Sequence, residues 1–204
     1  MASGRRGEGA AASVDGGPGP VGAVLEARRR RRWPRALTAI LAGAALAGDL
    51  AGCAAPPSRP GTTTTIILTR HADRTGESDE LNETGVERAK MLVEAVRDLG
   101  VTAIYSPDSS RNLATVEPLS AALGIQITRT PQVTLFVAQS IAREILEKHA
   151  GGVVVFVGNV SGNLQAMNQL LGGSGLGPLE YGELHVLTVP HQGPVTVVKR
   201  RYGP

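Results

Sequence analysis

The 204-residue chain has one cysteine, few aromatic residues (3%) and no apolar run of membrane-spanning length. A single cysteine excludes a disulfide within the chain and any metal site built from several cysteines. The scarcity of aromatic side chains excludes a stacking platform for nucleic-acid bases. The length fits one domain of ordinary size.

The net charge of +3 is unevenly distributed along the chain. Residues 1–52 contain eight Arg and four acidic residues, a net charge of +4, whereas residues 53–204 contain 13 basic and 14 acidic residues, a net charge of −1. Because the excess of basic residues lies in residues 1–52, the leader, the rest of the chain lacks the positive charge of a polyanion-binding surface. We predict no nucleic-acid partner.

The leader has the order of an export signal. The basic segment Arg28–Arg32 precedes the apolar segment Ala36–Ala47, as is typical of secretory signals, and the apolar segment is too short to span a membrane comfortably. It is followed by Leu50-Ala51-Gly52-Cys53, which resembles the lipobox of bacterial lipoproteins. In that family the mature chain begins at the cysteine, which carries the acyl chains.

These features predict three regions and a location. Residues 1–52 would be a disordered n-region plus a lipoprotein signal peptide, residues 53–63, rich in Pro and Thr, a tether, and residues 64–204 the functional domain. We expect the protein in the bacterial cell envelope, in contact with the membrane only through lipid on Cys53. The alternative is that Cys53 is a buried structural residue.

Residues 64–204 alternate between predicted strands and helices. The patterns predict strands over 64–70, 103–106, 126–129, 153–158, 184–189 and 194–200, and helices over 83–99, 112–123, 135–149 and 164–171. This alternation predicts an α/β domain with three layers and a mainly parallel central sheet. The continuous apolar strand VVVFVG fits a sheet that is covered on both faces.

Ligands of such sheets bind at the carboxyl ends of the strands. Arg70 and His71 follow the first predicted strand, and Arg111 stands at the start of the second helix. A neutral histidine can act as a nucleophile, and arginine donors match phosphate oxygens. These residues predict an anion pocket suited to phosphoryl transfer. The alternative is that Arg70 and His71 form a surface turn and that Arg111 is solvated.

Four segments, in order, resemble those of the histidine phosphatase superfamily, the phosphoglycerate mutase-like proteins. They are Leu68–Ala72, Leu81–Ala89, Ile104–Pro107 with Arg111, Thr115 and Pro118 after it, and the Gly152–Gly158 strand with its turn. The resemblance implies a phosphoglycerate mutase-like fold, in a small and minimal member of the family. It also implies that His71 is the nucleophile that forms a phosphohistidine, that Arg70 and Arg111 hold the phosphoryl oxygens, and that no metal or organic cofactor is needed.

The sequence departs from that family where a second histidine should follow the VVVFVG strand. Alignment by the strand end places Asn159 there, and alignment by the Ser-Gly-Asn-Leu tail places Val160 there. We prefer Asn159, because its amide can donate a hydrogen bond to a phosphoryl oxygen although it cannot carry a positive charge. The other histidines, His149, His185 and His191, are expected to be structural.

The general acid is also in question, since no Asp or Glu occurs between Glu117 and Glu144. Asp73 could protonate a leaving oxygen, or it could orient Arg74. We expect the acidic stretch Glu77–Glu83 to be a solvated loop.

Two functions remain open. The first is a phosphatase of reduced activity that hydrolyses a phosphomonoester or phosphoramidate, in a small phosphorylated substrate or a phosphoprotein. The second is a pseudo-phosphatase that binds a phosphorylated or acidic ligand without turnover.

Overall fold

A computed structural model describes residues 58–131 and 134–204. The elements in chain order are β1 (Thr63–Arg70), α1 (Glu83–Val96), a 3₁₀ turn (Arg97–Leu99), β2 (Ala103–Pro107), α2 (Ser110–Leu123), β3 (Ile127–Thr130), α3 (Leu135–Lys148), β4 (Val153–Gly158), α4 (Asn163–Leu170), β5 (Glu183–Pro190) and β6 (Thr196–Arg201). Every predicted element of the domain is present, with its ends shifted by three residues or fewer. The predicted signal peptide and Cys53 lie outside the described residues.

The six strands form one mixed sheet in the order β3-β2-β4-β1-β5-β6. Strands β3, β2, β4 and β1 pair in parallel, whereas β5 is antiparallel to both β1 and β6. The prediction of a mainly parallel sheet is therefore confirmed. In the central pair, Arg70 at the end of β1 stands opposite Gly158 at the end of β4.

Helices cover both faces of the sheet, because the central strands are apolar on both sides. Ile66 and Leu68 of β1 belong to a buried cluster with residues of α3 and α4. Ile67, which points to the opposite face, belongs to a second cluster with residues of α1 and α2. The three-layer arrangement expected from the continuous apolar strands is thus present.

The helix ends follow local chemistry. Asn82 caps α1, as predicted, and its side chain accepts a hydrogen bond from the Gly85 N–H (2.9 Å). The first predicted helix ends earlier than expected, since α1 gives way at Arg97 to a 3₁₀ turn that stops at Gly100, where φ is 69°. Among the described residues, no helix is both long and apolar enough to cross a membrane.

Ser58, expected to belong to the tether, contacts the sheet instead. Ser58 is buried; its Oγ donates to the Val189 carbonyl (2.7 Å) and lies 2.8 Å from Thr64 Oγ1. The Nδ1 atom of His191 lies 2.9 Å from the Ser58 carbonyl oxygen. The packed domain therefore includes Ser58, six residues before the predicted start, because Ser58 bonds to groups at the ends of β1 and β5.

Arg88 of α1 is buried and ties the chain's last described residues to the loop after β1. Its Nε donates to Asp73 Oδ2 (2.5 Å), its Nη1 to the Tyr202 carbonyl (2.9 Å) and its Nη2 to the Pro204 carbonyl (2.8 Å). Only 5% of Arg88 is exposed, so these hydrogen bonds replace the water that the guanidinium loses on folding.

We expect Arg88→Met to lower the free energy of unfolding by about 3 kcal/mol, because it leaves the Asp73 carboxylate without its cation. Urea unfolding followed by circular dichroism measures this change. The control is Arg97→Met, which removes an exposed ion pair with Glu94 and should cost less than about 1 kcal/mol. Equal losses in the two variants would contradict the role given to Arg88.

Candidate functional site

A cavity of about 280 Å³ opens where β1 and β4 end. It brings together four residues that the sequence predicts as functional, from three separate segments: Arg70, His71, Arg111 and Asn159. The remaining lining residues are Arg74, Glu77, Val160 and Ser161. The cavity therefore lies at the edge of the sheet where ligands of parallel α/β folds bind.

His71 is held in place by hydrogen bonds on both sides of its backbone. Its N–H donates to the Gly158 carbonyl (3.0 Å), and the next N–H, of Ala72, donates to Thr115 Oγ1 (2.9 Å). The His71 Nδ1 atom lies 2.8 Å from the Ala72 carbonyl oxygen. Since a carbonyl only accepts, Nδ1 carries the proton and Nε2 keeps its lone pair.

The surroundings of His71 favour the neutral imidazole. Burial, with smaller contributions from the positive charges of Arg70, Arg111 and Arg74, lowers the pKa of His71 to about 4, although the bond to the Ala72 carbonyl acts in the opposite direction. At neutral pH the ring is therefore unprotonated at Nε2. This is the form in which histidine acts as a nucleophile.

Arg70 is positioned by the segment that precedes β5. Its Nη1 donates to the Leu179 carbonyl (3.0 Å), its Nη2 donates to the Tyr181 hydroxyl (3.2 Å), and its guanidinium carbon lies 3.9 Å from the centre of the Tyr181 ring. The Tyr181 ring also meets His71 edge to face, with 5.7 Å between ring centres. These partners of Arg70 are neutral, so its positive charge stays available to an anion.

The Nε of Arg70 is buried and has no hydrogen-bond partner among the described residues. A buried donor without an acceptor is costly. Nothing near Tyr181 in the sequence indicates its contact with Arg70, because the two residues are 111 positions apart and the fold alone brings them together.

Arg111, in the first turn of α2, is already bonded to the protein on two sides. Its Nε and Nη2 donate to Asn159 Oδ1 (3.1 and 3.0 Å), and its Nη1 pairs with the carboxylate of Asp79. Asp79 also accepts the Ser110 N–H (3.1 Å). Burial opposes ionisation of Asp79, but the bonds from Ser110 and Arg111 hold its pKa below the usual value.

Asn159 occupies the position after β4 that corresponds to His71 after β1. With its Oδ1 on Arg111, its Nδ2 is the end of the amide that remains for a ligand. Val160 lines the same cavity but has no polar side-chain atom. Gly158 permits this turn, because a Cβ there would lie 2.5 Å from Asn163 Oδ1, the atom that accepts the Asn159 N–H.

The structure places Asp73 differently from either sequence prediction. Its carboxylate bonds to Arg88 through Oδ2 (2.5 Å) and Oδ1 (3.3 Å), and Asp73 is not among the residues that line the cavity. Arg74, which Asp73 was expected to orient, donates instead to Glu77 (2.9 Å) and to the Ser78 carbonyl (3.0 Å). The physical reason is that the buried Arg88 needs an anionic partner and Asp73 is in reach.

The acidic stretch Glu77–Glu83 is also more than a solvated loop. A β-bridge between Arg74 and Leu81 folds this loop back on itself. As a result Glu77 lines the cavity and Asp79 reaches Arg111. The sequence shows the acidic residues but not the fold of the loop.

The other histidines lie elsewhere, as expected. His149 Nε2 lies 3.0 Å from the Tyr105 hydroxyl, His185 is buried on β5, and His191 contacts Ser58. Within the two described ranges, no three His, Cys, Asp or Glu side chains are grouped as metal ligands.

Comparison with known proteins agrees with this architecture. Residues 66–134, from within β1 to the residue before α3, match the histidine phosphatase superfamily (branch 1). The matched segment includes Arg70, His71 and Arg111, which line the cavity. A comparison with the sequences of curated proteins finds no match.

Several solved structures share the fold at low sequence identity. The protein histidine phosphatase SixA complexed with tungstate is 12% identical with a TM-score of 0.54, and the alignment covers 67% of this chain and 96% of SixA. YhfR from Bacillus stearothermophilus is 18% identical with a TM-score of 0.54, covering 66% of this chain and 95% of YhfR. Mycobacterial hydrolase 1 is 14% identical with a TM-score of 0.58, and the alignment covers 70% of this chain and 100% of the hydrolase.

The lowered pKa of His71 predicts that stability falls in acid. Since the folded-state pKa is about 4 against an ordinary value of 6.5, the unfolded state takes up the proton first as pH falls through 6.5. The contribution of His71 to the free energy of unfolding is complete above pH 6.5. About 2 kcal/mol of this free energy should be lost between pH 7.5 and 5. Urea unfolding at the two pH values measures it. His71→Asn should remove this part of the pH dependence, and His191→Asn should not. An unchanged slope in His71→Asn would refute the assignment.

The contacts of Tyr181 predict that it supports anion binding through Arg70. Tyr181→Leu removes the ring and the hydroxyl, and should weaken the binding of inorganic phosphate about tenfold. Tyr181→Phe keeps the ring under the guanidinium and should lower the affinity for phosphate only about two- to threefold. Isothermal calorimetry measures both, with thermal unfolding to verify the fold. Wild-type affinity in a folded Tyr181→Leu variant would count against this role.

Proposed function

We propose that this domain is a phosphatase that hydrolyses a phosphomonoester or a phosphoramidate through a phosphohistidine on His71. The observation that carries the proposal is a neutral His71, with the proton on Nδ1, in one cavity with Arg70 and Arg111. A small phosphorylated molecule or a phosphoprotein is the expected substrate, and the proposed chemistry needs no cofactor.

The reaction proceeds in two displacements. The Nε2 lone pair attacks phosphorus, the bond to the leaving oxygen or nitrogen breaks, and the leaving group keeps the electron pair and takes a proton from solvent. Water then attacks the phosphohistidine, the phosphorus–nitrogen bond breaks to regenerate Nε2, and the protons of the water pass to the phosphate and to solvent. Arg70 and Arg111 hold the phosphoryl oxygens as charge shifts among them.

The choice of leaving group follows from the carboxylates. Asp73 is bonded to Arg88, and Asp79 is bonded to Arg111 and the Ser110 N–H. Neither is a ready proton donor, and Glu77, which lines the cavity, is paired with Arg74. Phenolic and phosphoramidate leaving groups need little help from an acid, so we expect these substrates to be turned over best.

We propose that the rate is reduced, because Asn159 stands where the resemblance predicts a second histidine. A neutral amide in place of a cationic donor would lower the rate by roughly 10²–10³, by analogy with the loss of one preorganised oxyanion donor. The structural neighbour SixA holds tungstate, an oxyanion, and is described as a protein histidine phosphatase. This supports the proposed class of reaction.

A pseudo-phosphatase that binds a phosphorylated or acidic ligand without turnover is the second candidate. The observation that favours it is the state of Arg111, whose charge is already balanced by Asp79 and whose other donors are bonded to Asn159. An incoming phosphoryl group must replace these partners before Arg111 can stabilise a transition state.

We propose, as the sequence predicts, that the protein is exported to the cell envelope and lipid-anchored at Cys53. Ser58 is already part of the packed domain, so the lipid would lie within the reach of five residues, at most about 17 Å. Ser58 lies at the amino end of β1 and the cavity at its carboxyl end. The cavity would then open on the side of the domain away from the anchor.

Release of phosphate from an aryl phosphate by the full-length protein between pH 4.5 and 8 tests the phosphatase. His71→Ala should abolish turnover, Asn159→His should raise it, and His191→Ala, remote from the cavity, should leave it unchanged. If the wild-type protein turns over no faster than His71→Ala while Asn159→His gains activity, the native protein is the pseudo-phosphatase. Turnover that survives in His71→Ala would overturn the assignment of His71 as the nucleophile.

A further inference from the structure

A third arginine lies in the cavity and takes no part in the reaction as proposed. Arg74 lines the cavity together with Arg70, His71 and Arg111. Its guanidinium donates to Glu77 Oε2 (2.9 Å) and to the Ser78 carbonyl (3.0 Å). The Arg74 side chain is 16% exposed, whereas the Glu77 side chain is 94% exposed.

The pair between Arg74 and Glu77 is therefore easily exchanged. A carboxylate that is almost fully in water gains at most about 1 kcal/mol from such a pair. An anion inside the cavity, where less water competes, can take its place on Arg74. By contrast, the Asp79 partner of Arg111 is itself bonded to the Ser110 N–H, so Arg111 is harder to release.

Arg74 lines the cavity from the loop after β1, where its guanidinium donates to Glu77 and to the Ser78 carbonyl. Its charge also reaches His71, where it lowers the pKa less than burial does and less than the charges of Arg70 and Arg111 do. The cavity of about 280 Å³ has the volume of roughly nine water molecules. A phosphoryl group next to His71 leaves room for a second group near Arg74.

We propose that Arg74 binds a second anionic group of the substrate, so that the preferred ligands are phosphorylated compounds with an additional phosphate or carboxylate. This inference rests on the proposed function only for the place of the first phosphoryl group. The carboxylate of Glu77 is the anion with which Arg74 pairs within the protein. It is replaced by a ligand anion but not by a neutral substituent, which favours doubly anionic ligands.

The test is the binding of inorganic phosphate, pyrophosphate and phosphoglycolate to the full-length protein, measured by isothermal calorimetry. Wild-type protein should bind pyrophosphate at least tenfold more tightly than phosphate. Arg74→Gln should weaken the binding of pyrophosphate about tenfold and the binding of phosphate less than threefold. Glu77→Gln removes the competing carboxylate and should increase the affinity for pyrophosphate severalfold. Phosphoglycolate shows whether a carboxylate is accepted in place of the second phosphate.

The matched control is Arg129→Gln, which removes an exposed arginine paired with Asp108 and should change neither affinity. Equal affinities of the wild-type protein for phosphate and pyrophosphate, or equal losses of both in Arg74→Gln, would overturn the second-anion site. Because these are binding measurements, they do not depend on turnover. A protein that prefers pyrophosphate through Arg74 but releases no phosphate would retain this inference and refute the phosphatase.

Discussion

The site depends on the parallel pairing of β1 with β4. In this register Arg70 is opposite Gly158, so the next residue of each strand, His71 and Asn159, leaves the sheet at the same edge. The hydrogen bond from the His71 N–H to the Gly158 carbonyl continues the pairing one step beyond β1. A shift of one residue would turn the side chains of a strand to the opposite faces of the sheet. The geometry of the cavity is therefore a consequence of strand pairing.

Around this edge, the charges of the cavity are balanced to different degrees. Arg70 has neutral partners, Arg74 has an exposed carboxylate, and Arg111 has a carboxylate that is itself hydrogen-bonded. The cationic character of the cavity thus comes mainly from Arg70. Three cations therefore lie close to His71. Each of their positive charges lowers the pKa of His71, so the imidazole stays neutral beside them.

The loop between β1 and α1 serves two separate purposes. On one side Asp73 satisfies the buried Arg88, which in turn bonds to the carbonyls of Tyr202 and Pro204. On the other side Arg74 and Glu77 line the cavity, and Asp79 contacts Arg111. Adjacent residues of this loop therefore differ in role, Asp73 supporting the fold and Arg74 the site.

The elements and the layers can be predicted from the sequence, because apolar spacing and helix-stopping glycines are local signals. It also singled out Arg70, His71, Arg111 and Asn159, which stand next to strand ends or at the start of a helix. The partners of these residues, by contrast, follow from the packing of distant segments. The bond of Tyr181 to Arg70 joins residues 111 positions apart, and Asp73 bonds to Arg88 rather than to its neighbour Arg74. Such pairings depend on which charges are buried together, and that is set by the packing of the whole domain.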